Sequence, residues 1–202
     1  DIDLVVEGEA PKLARQVAGD RGVKATTHQR FGTAKLSLDG VTIDMATSRT
    51  EIYRRPGALP TVKPGGIEDD LRRRDFSINT IAVELDPHSF GRVLDPYGGM
   101  ADIEAGVIRV LHDGSFADDA TRMLRGIRYE QRLGFSIEER TERLLRENLE
   151  MLDMISGDRI RSEIELILNE ERPERALLRA EALGVLRQIS PALRCDERTA
   201  QR

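Results

Sequence analysis

The residues best suited to chemistry stand at the start of the sequence, where Asp1-Ile2-Asp3 runs directly into Leu4-Val5-Val6. Alternate residues of a β-strand share a face, so Asp1 and Asp3 point one way and Ile2 the other. Two carboxylates on one face repel unless a cation lies between them. Hard divalent cations such as Mg²⁺ take oxygen ligands, often one or two carboxylates together with substrate phosphates. Such a strand suits metal-assisted phosphoryl or nucleotidyl transfer, with a solvated strand end as the plain alternative. In Val41-Thr42-Ile43-Asp44-Met45 the alternation turns Asp44 away from Ile43 and Met45. Asp44 becomes a third carboxylate of the group if its strand lies beside 1–6.

Two further constellations carry positive charge. The first is Arg72-Arg73-Arg74-Asp75-Phe76-Ser77-Ile78-Asn79. Forked guanidinium donors match phosphate oxygens, and Asp75 and Asn79 would then position a ribose or hold the loop. The second runs from Asp118-Asp119 through Arg122, Arg125, Arg128 and Arg132. At helical spacing these arginines fall within an arc of about 120°, while Met123, Leu124 and Ile127 occupy another arc and suit a core. Acidic residues favour a helix start, and Asp119 stands three residues before Arg122, within reach of it on a helix. A carboxylate that accepts from an amino group and a guanidinium that donates to ring nitrogens can together read a base edge. A solvated arginine face is the alternative. Asp95-Pro96-Tyr97-Gly98-Gly99 with Asp102 reads as a structural turn that shapes the junction between domains.

The elements that must hold these groups change in kind along the chain. Strands are expected at 1–6, 24–31, 34–38, 41–46, 78–85, near 92–95 and at 107–111. A helix over 9–20 shows apolar Ala10, Leu13, Ala14 and Val17 at helical spacing. Residues 54–69, rich in proline and glycine, read as a long functional loop. Beyond about residue 113 the pattern is helical, at 118–133, 138–152, 158–170 and 173–184. The fold class is α+β: a mixed-sheet head over 1–113, then an all-helical neck and partial body over 114–202. With 202 residues, 33% of them charged and 4% aromatic, the chain can bury a sizeable core. No apolar run approaches the ~20 residues that cross a bilayer. One cysteine and three histidines disfavour a zinc site or a disulfide framework and point to the cytoplasm. The net charge of −5 excludes a protein basic all over, but not one with local basic surfaces for nucleic acid.

Together these motifs resemble the class II tRNA nucleotidyltransferase and bacterial poly(A) polymerase family, within the polymerase-β-like nucleotidyltransferase superfamily. The resemblance rests on DIDLVV at 1–6, TIDMATSRTEIY at 42–53, RRRDFSINTIA at 72–82, LDPYGGMADI at 94–103 and DDATRMLRGIRYEQRLGF at 118–135. It implies that Asp1 and Asp3 bind Mg²⁺ and that Asp44 is the third catalytic carboxylate. It places Arg74, Asp75 and Asn79 in the segment that meets nucleotide and ribose. Asp119 and Arg122 match the pair that selects CTP or ATP, and Arg125 and Arg128 extend that face towards the phosphates. Residues 49–67 match the flexible loop needed for adding the terminal A. The implied reaction is CMP and AMP addition to tRNA 3′ ends from CTP and ATP. Poly(A) synthesis on general RNA ends, or nucleotide binding without catalysis, are the alternatives. The sequence departs from the family in opening this helix with Asp118-Asp119 in place of Glu-Asp and in carrying Ala120-Thr121 for Pro-Leu. The family's Gly-Gly turn with an Arg-Asp pair stands upstream of the first residue read.

Overall fold

The computed structural model describes residues 2–52 and 60–196. They form two compact units, one from 2–52 and 61–73, the other from residue 60 and 74–196. Asp1 lies outside the described residues, as does part of the expected 54–69 loop.

The first unit is built on β1 (Ile2–Val6), α1 (Ala10–Arg21), β2 (Ala25–His28), β3 (Thr33–Leu38) and β4 (Val41–Thr47). The sheet order is β1-β4-β3-β2, with β1 parallel to β4 and β3 antiparallel to both of its neighbours. Strand alternation sends Ala34, Leu36 and Met45 to one face, where they are buried with Ala10, Ala14 and Ala18 of α1. Alanines four residues apart stack along one side of a helix and let it lie close to the sheet. Leu13, placed in the apolar stripe by its spacing, is instead exposed at the edge of that row. Thr47, at the end of β4, accepts the Ala10 amide on Oγ1 at 3.1 Å and satisfies one orphan donor of α1.

The stretch expected as loop contains more structure than its composition suggests. β5 (Arg49–Ile52) pairs antiparallel with β6 (Thr61–Pro64), and α2 (Ile67–Arg72) follows. β6 is exposed throughout, and proline is tolerated on such an edge strand. Glu7 accepts the Ile67 amide at 2.7 Å and so anchors the start of α2 to the end of β1.

The second unit opens with a 3₁₀ turn at Ser77–Asn79. It continues through β7 (Ala82–Val83), β8 (Val93–Leu94), α3 (Gly99–Ala105), β9 (Val107–Ile108), α4 (Ser115–Asp118), α5 (Thr121–Leu133) and β10 (Ser136–Ile137). After these come α6 (Glu139–Glu147), a 3₁₀ turn at Leu149–Met154, α7 (Gly157–Leu168), α8 (Pro173–Leu183) and α9 (Val185–Ile189). The expected junction near 112–115 does not coincide with the division between the units, which falls at Arg73/Arg74. The reason is packing. Phe76, Ile108 and Val110 are buried in one core with Phe116, Met123, Leu124 and Ile127, so 74–113 join the helices. The segments expected as longer strands, 78–85 and 107–111, shrink to β7, whose Val83 is exposed, and β9, whose Ile108 is buried in the helical core.

The helix expected over 118–133 is broken. α4 ends at Asp118, Asp119 is extended at φ −148° and ψ 101°, and α5 starts at Thr121. Along α5, Gly126 brings Phe76 against the helix, since a Cβ there would lie 3.1 Å from the ring. The Phe76 ring also meets Tyr129 edge-on at 5.9 Å.

Candidate functional site

In the first unit the carboxylate face is set by register. Asp3 on β1 pairs with Asp44 on β4, and Asp44 in turn pairs with Lys35 on β3. In-register residues on adjacent strands point to the same side, so these three form a row on the sheet face opposite α1. Asp3 is exposed, and no ion pair to it forms among the described residues. Lys35 Nζ lies 3.2 Å from Asp44, with both side chains partly open to solvent. The condition set by the sequence, that strand 41–46 lie beside 1–6, is thus met for Asp3 and Asp44. Lys35 was missed. The alternation of 33–38 puts it on a polar face, but only the strand order puts it next to Asp44.

Two carboxylates on neighbouring strands, Asp3 exposed and Asp44 half-buried, fit a hard divalent cation, which needs oxygen ligands and tolerates bound water. Among the described residues no group of three or more histidine, cysteine, aspartate or glutamate side chains is placed to hold a metal ion.

The Arg72–Arg74 run is divided between the units. Arg73 is held within the first unit by Asp70, at 2.6 Å, and by Glu51, at 3.2 Å. Arg74 opens the second unit and donates from Nη1 to the Asn79 carbonyl at 3.1 Å.

Asp75 is buried and fully engaged. Its Oδ1 accepts from the Phe76 amide at 3.0 Å and from Asn79 Nδ2 at 2.8 Å. Its Oδ2 accepts twice from Arg125, at 2.8 and 2.6 Å. Burial works to raise the Asp75 pKa, but the Arg125 charge and the hydrogen bonds outweigh it and hold the carboxyl below its usual value. Of the two roles the sequence left open for Asp75 and Asn79, the visible one is holding the loop.

Arg122, Arg125 and Arg128 of α5 are not a solvated face, whereas Arg132 at the helix end is exposed. α7 and α8 pack on α5, and Glu163 of α7 and Glu170 in the turn after it supply partners for the stripe. Arg122 is buried and donates from Nη1 to the Ser115 hydroxyl at 2.7 Å. Besides Asp75, Arg125 reaches the Tyr129 hydroxyl at 2.9 Å and lies 3.8 Å from Glu163 on α7. Arg128, also buried, bonds Glu170 at 3.2 Å and lies over the Tyr129 ring, 4.9 Å from its centroid. Asp119 stands outside the helix as a cap. Its Oδ1 accepts from Thr121 N and Oγ1 at 3.0 and 2.7 Å, and its Oδ2 accepts from Arg159 on α7 at 2.7 Å.

Glu163 is the second residue that sequence reading missed. Burial raises its pKa despite nearby Arg125 and Arg128, and its Oε2 is buried without a hydrogen-bond partner. Arg159 and Glu163 stand four apart on α7, which marks them as sharing a face. Nothing local shows that this face meets α5. The Asp95 segment is structural: Asp95 accepts the Gly99 and Met100 amides at the start of α3, and Asp102 binds Ser77 and Arg109.

Comparison with known proteins does not divide the chain at Arg73/Arg74. Residues 1–109 match a family described as the Poly A polymerase head domain, and residues 134–196 match one described as the probable RNA and SrmB-binding site of polymerase A. The chain is 45% identical over 204 residues to an A-adding tRNA nucleotidyltransferase of Geobacter sulfurreducens, with 100% of this chain and 23% of that protein covered. It resembles the apo structure of a CCA-adding enzyme at a TM-score of 0.91 and 41% identity, covering 98% of this chain and 47% of the other. A tRNA nucleotidyltransferase solved with a primer tRNA and an incoming ATP analogue matches at a TM-score of 0.87 and 36% identity, covering 100% and 57%. The chain therefore spans about a quarter of the first relative and about half of the two solved chains.

Proposed function

This chain belongs to the Poly A polymerase head-domain family, and from that premise we propose that it is part of an RNA nucleotidyltransferase adding CMP or AMP to tRNA 3′ ends. CTP and ATP are the substrates in this reading, and the cytoplasm is the site of action. The observation that carries it is the in-register pair Asp3 and Asp44 on adjacent strands. The similarity to an A-adding enzyme favours terminal AMP addition among the variants of this chemistry.

In the reaction, the terminal 3′ oxygen of the RNA attacks the α-phosphorus of the nucleotide. The bond to the β-phosphate breaks, pyrophosphate leaves, and the hydroxyl proton passes to a carboxylate or to water. Asp1 and Asp3 would hold Mg²⁺, with Asp44 beside them as the third carboxylate. When bound, the metal supplies activation of the hydroxyl and neutralisation of charge on the leaving group. Lys35 moderates the repulsion between the carboxylates and keeps Asp44 in place. Positioning and charge stabilisation carry most of such a transfer.

The second unit supplies the nucleotide-selecting groups. Asp119 and Arg122 are assigned to the base edge, with Arg74, Arg125 and Arg128 on the phosphate side. Asp75 and Asn79 keep Arg125 in position. Asp119 Oδ2 accepts from Arg159, so reading an exocyclic amino group requires that oxygen to share or exchange its donor.

The test uses the intact protein with tRNA lacking its terminal residues, with an oligo(A) primer, and with all four nucleotides. Addition that stops at a defined CCA or A end is expected, together with a loss on the order of 10²–10³-fold for Asp3→Ala, comparable to deleting a major transition-state contact. Long A tails on either primer would assign poly(A) synthesis instead. Undiminished incorporation by Asp3→Ala would remove the metal assignment.

A further inference from the structure

In-register pairing extends the carboxylate row across the whole sheet of the first unit. Asp3 on β1 stands beside Asp44 on β4, Asp44 beside Lys35 on β3, and Lys35 beside Thr26 on β2. The row therefore runs carboxylate, carboxylate, ammonium, hydroxyl along one face. Its neighbours on the same face of β3 and β4, Thr33, Ser37, Thr42 and Ala46, are uncharged. Lys35 is the only lysine or arginine in β1 to β4. Its Nζ lies 3.2 Å from Asp44 Oδ1, with the lysine side chain 59% exposed and that of Asp44 39%.

A lysine ammonium is a point charge on a flexible four-carbon stem, and an exposed ion pair of this kind is weak. A divalent cation ligated by the same carboxylate brings twice the charge to closer range. The ammonium and the cation therefore contend for Asp44, and the ammonium yields. No second carboxylate is at hand for it on β3 or β4, and Asp3 stands on the far side of Asp44. A displaced ammonium on a face that holds a divalent cation is repelled unless an anion arrives there. A nucleotide delivers that anion, and lysine binds phosphate as a point charge.

We propose that Lys35 is a substrate-binding residue of the carboxylate face. It neutralises Asp44 until a divalent cation takes that carboxylate, and its ammonium then pairs with a phosphate of the incoming nucleotide. The inference rests on the reading that Asp3 and Asp44 hold a cation for nucleotidyl transfer. It gives Lys35 two opposed effects. Towards the bare cation it is a competitor and a like charge, so it weakens binding. Towards the nucleotide it is a partner, so it strengthens binding. A lysine that only braces two strands as an ordinary cross-strand pair would not move the two affinities in opposite directions.

The experiment compares the intact wild type with Lys35→Met and Lys35→Arg by calorimetry. Methionine keeps an unbranched side chain without the charge, and the site is exposed, so Lys35→Met is expected to fold, with its melting temperature as the check. In the absence of nucleotide, Mn²⁺ should bind Lys35→Met roughly threefold tighter, as expected when an exposed competing ion pair is removed. At saturating Mg²⁺, ATP should bind Lys35→Met roughly tenfold more weakly, as for one lost charge-assisted hydrogen bond. Lys35→Arg should restore the ATP affinity. Unchanged affinity for both ligands, or a weakening of both together, would overturn the proposal. Nucleotide addition to tRNA is followed separately. A wild type that shows both shifts against Lys35→Met but transfers nothing would count against the proposed function and leave the role of Lys35 standing. Transfer by the wild type with neither affinity moved in Lys35→Met would overturn the role of Lys35 alone.

Discussion

The two units treat their charged groups in opposite ways. On the sheet face of the first, Asp3 and Asp44 stand side by side, with Lys35 on the far side of Asp44, and Asp3 is open to solvent. Around α5 in the second, carboxylates and guanidiniums satisfy one another: Asp75 accepts four hydrogen bonds, and Asp119 is held by Thr121 and Arg159. Unspent ligand capacity marks where a cation can be held. Saturated pairs mark where geometry is being maintained. The same residue type, aspartate, therefore carries different expectations in the two places.

The sharpest way to break this contrast is to remove a saturated carboxylate and look for a structural cost. Asp75→Ala leaves Arg125 without its main partner and frees the turn that carries Phe76. A destabilisation of about 2–4 kcal/mol is expected from breaking a largely buried pair, read as a lowered denaturation midpoint. A change below about 0.5 kcal/mol would show that the pairing is incidental. The pH dependence follows from the same group. Its folded-state pKa lies below the usual 3.8, so its stabilisation is present in full above that value. It is lost as pH falls through the lower, folded-state pKa. In Asp75→Ala this acid-limb contribution should be absent from the pH–stability profile.

A smaller effect is expected at Glu163, where burial raises the pKa above the usual 4.5. With the folded pKa above the unfolded one, ionisation opposes folding as pH rises through that window. Glu163→Gln should leave stability unchanged at pH 4 and unchanged or raised at pH 7. A loss of stability at pH 7 would mean that the charge holds Arg125 more firmly than its burial costs.

The contrast was only half legible in the sequence. Alternation around Asp3 and Asp44 can be read locally, because a strand has a period of two. The register joining them cannot, since β1 pairs with β4 across an intervening helix and two strands. The arginine spacing on α5 was equally plain. Its partners, however, lie 50 residues away at Asp75 and 42 at Glu170, beyond any local periodicity. Asp118-Asp119 read as a helix start, and the capping role of Asp119 agrees with that. Asp119 stands outside α5, where its other oxygen accepts from Arg159, a residue 40 positions away. Proline and glycine hid the β5–β6 ribbon and α2, because an edge strand tolerates proline. The division at Arg73/Arg74 was hidden for a different reason: Phe76 and Val110 lie in the stretch that reads as mixed sheet, yet they fill a helical core.

The most direct measurement of the central claim is Mn²⁺ titration of the intact protein, following paramagnetic broadening of backbone amide signals. The account predicts selective broadening on β1 and β4 at low Mn²⁺, abolished in Asp3→Asn/Asp44→Asn and retained in Asp119→Asn. Broadening that survives the double substitution, or that centres on the α5 carboxylates, would contradict it.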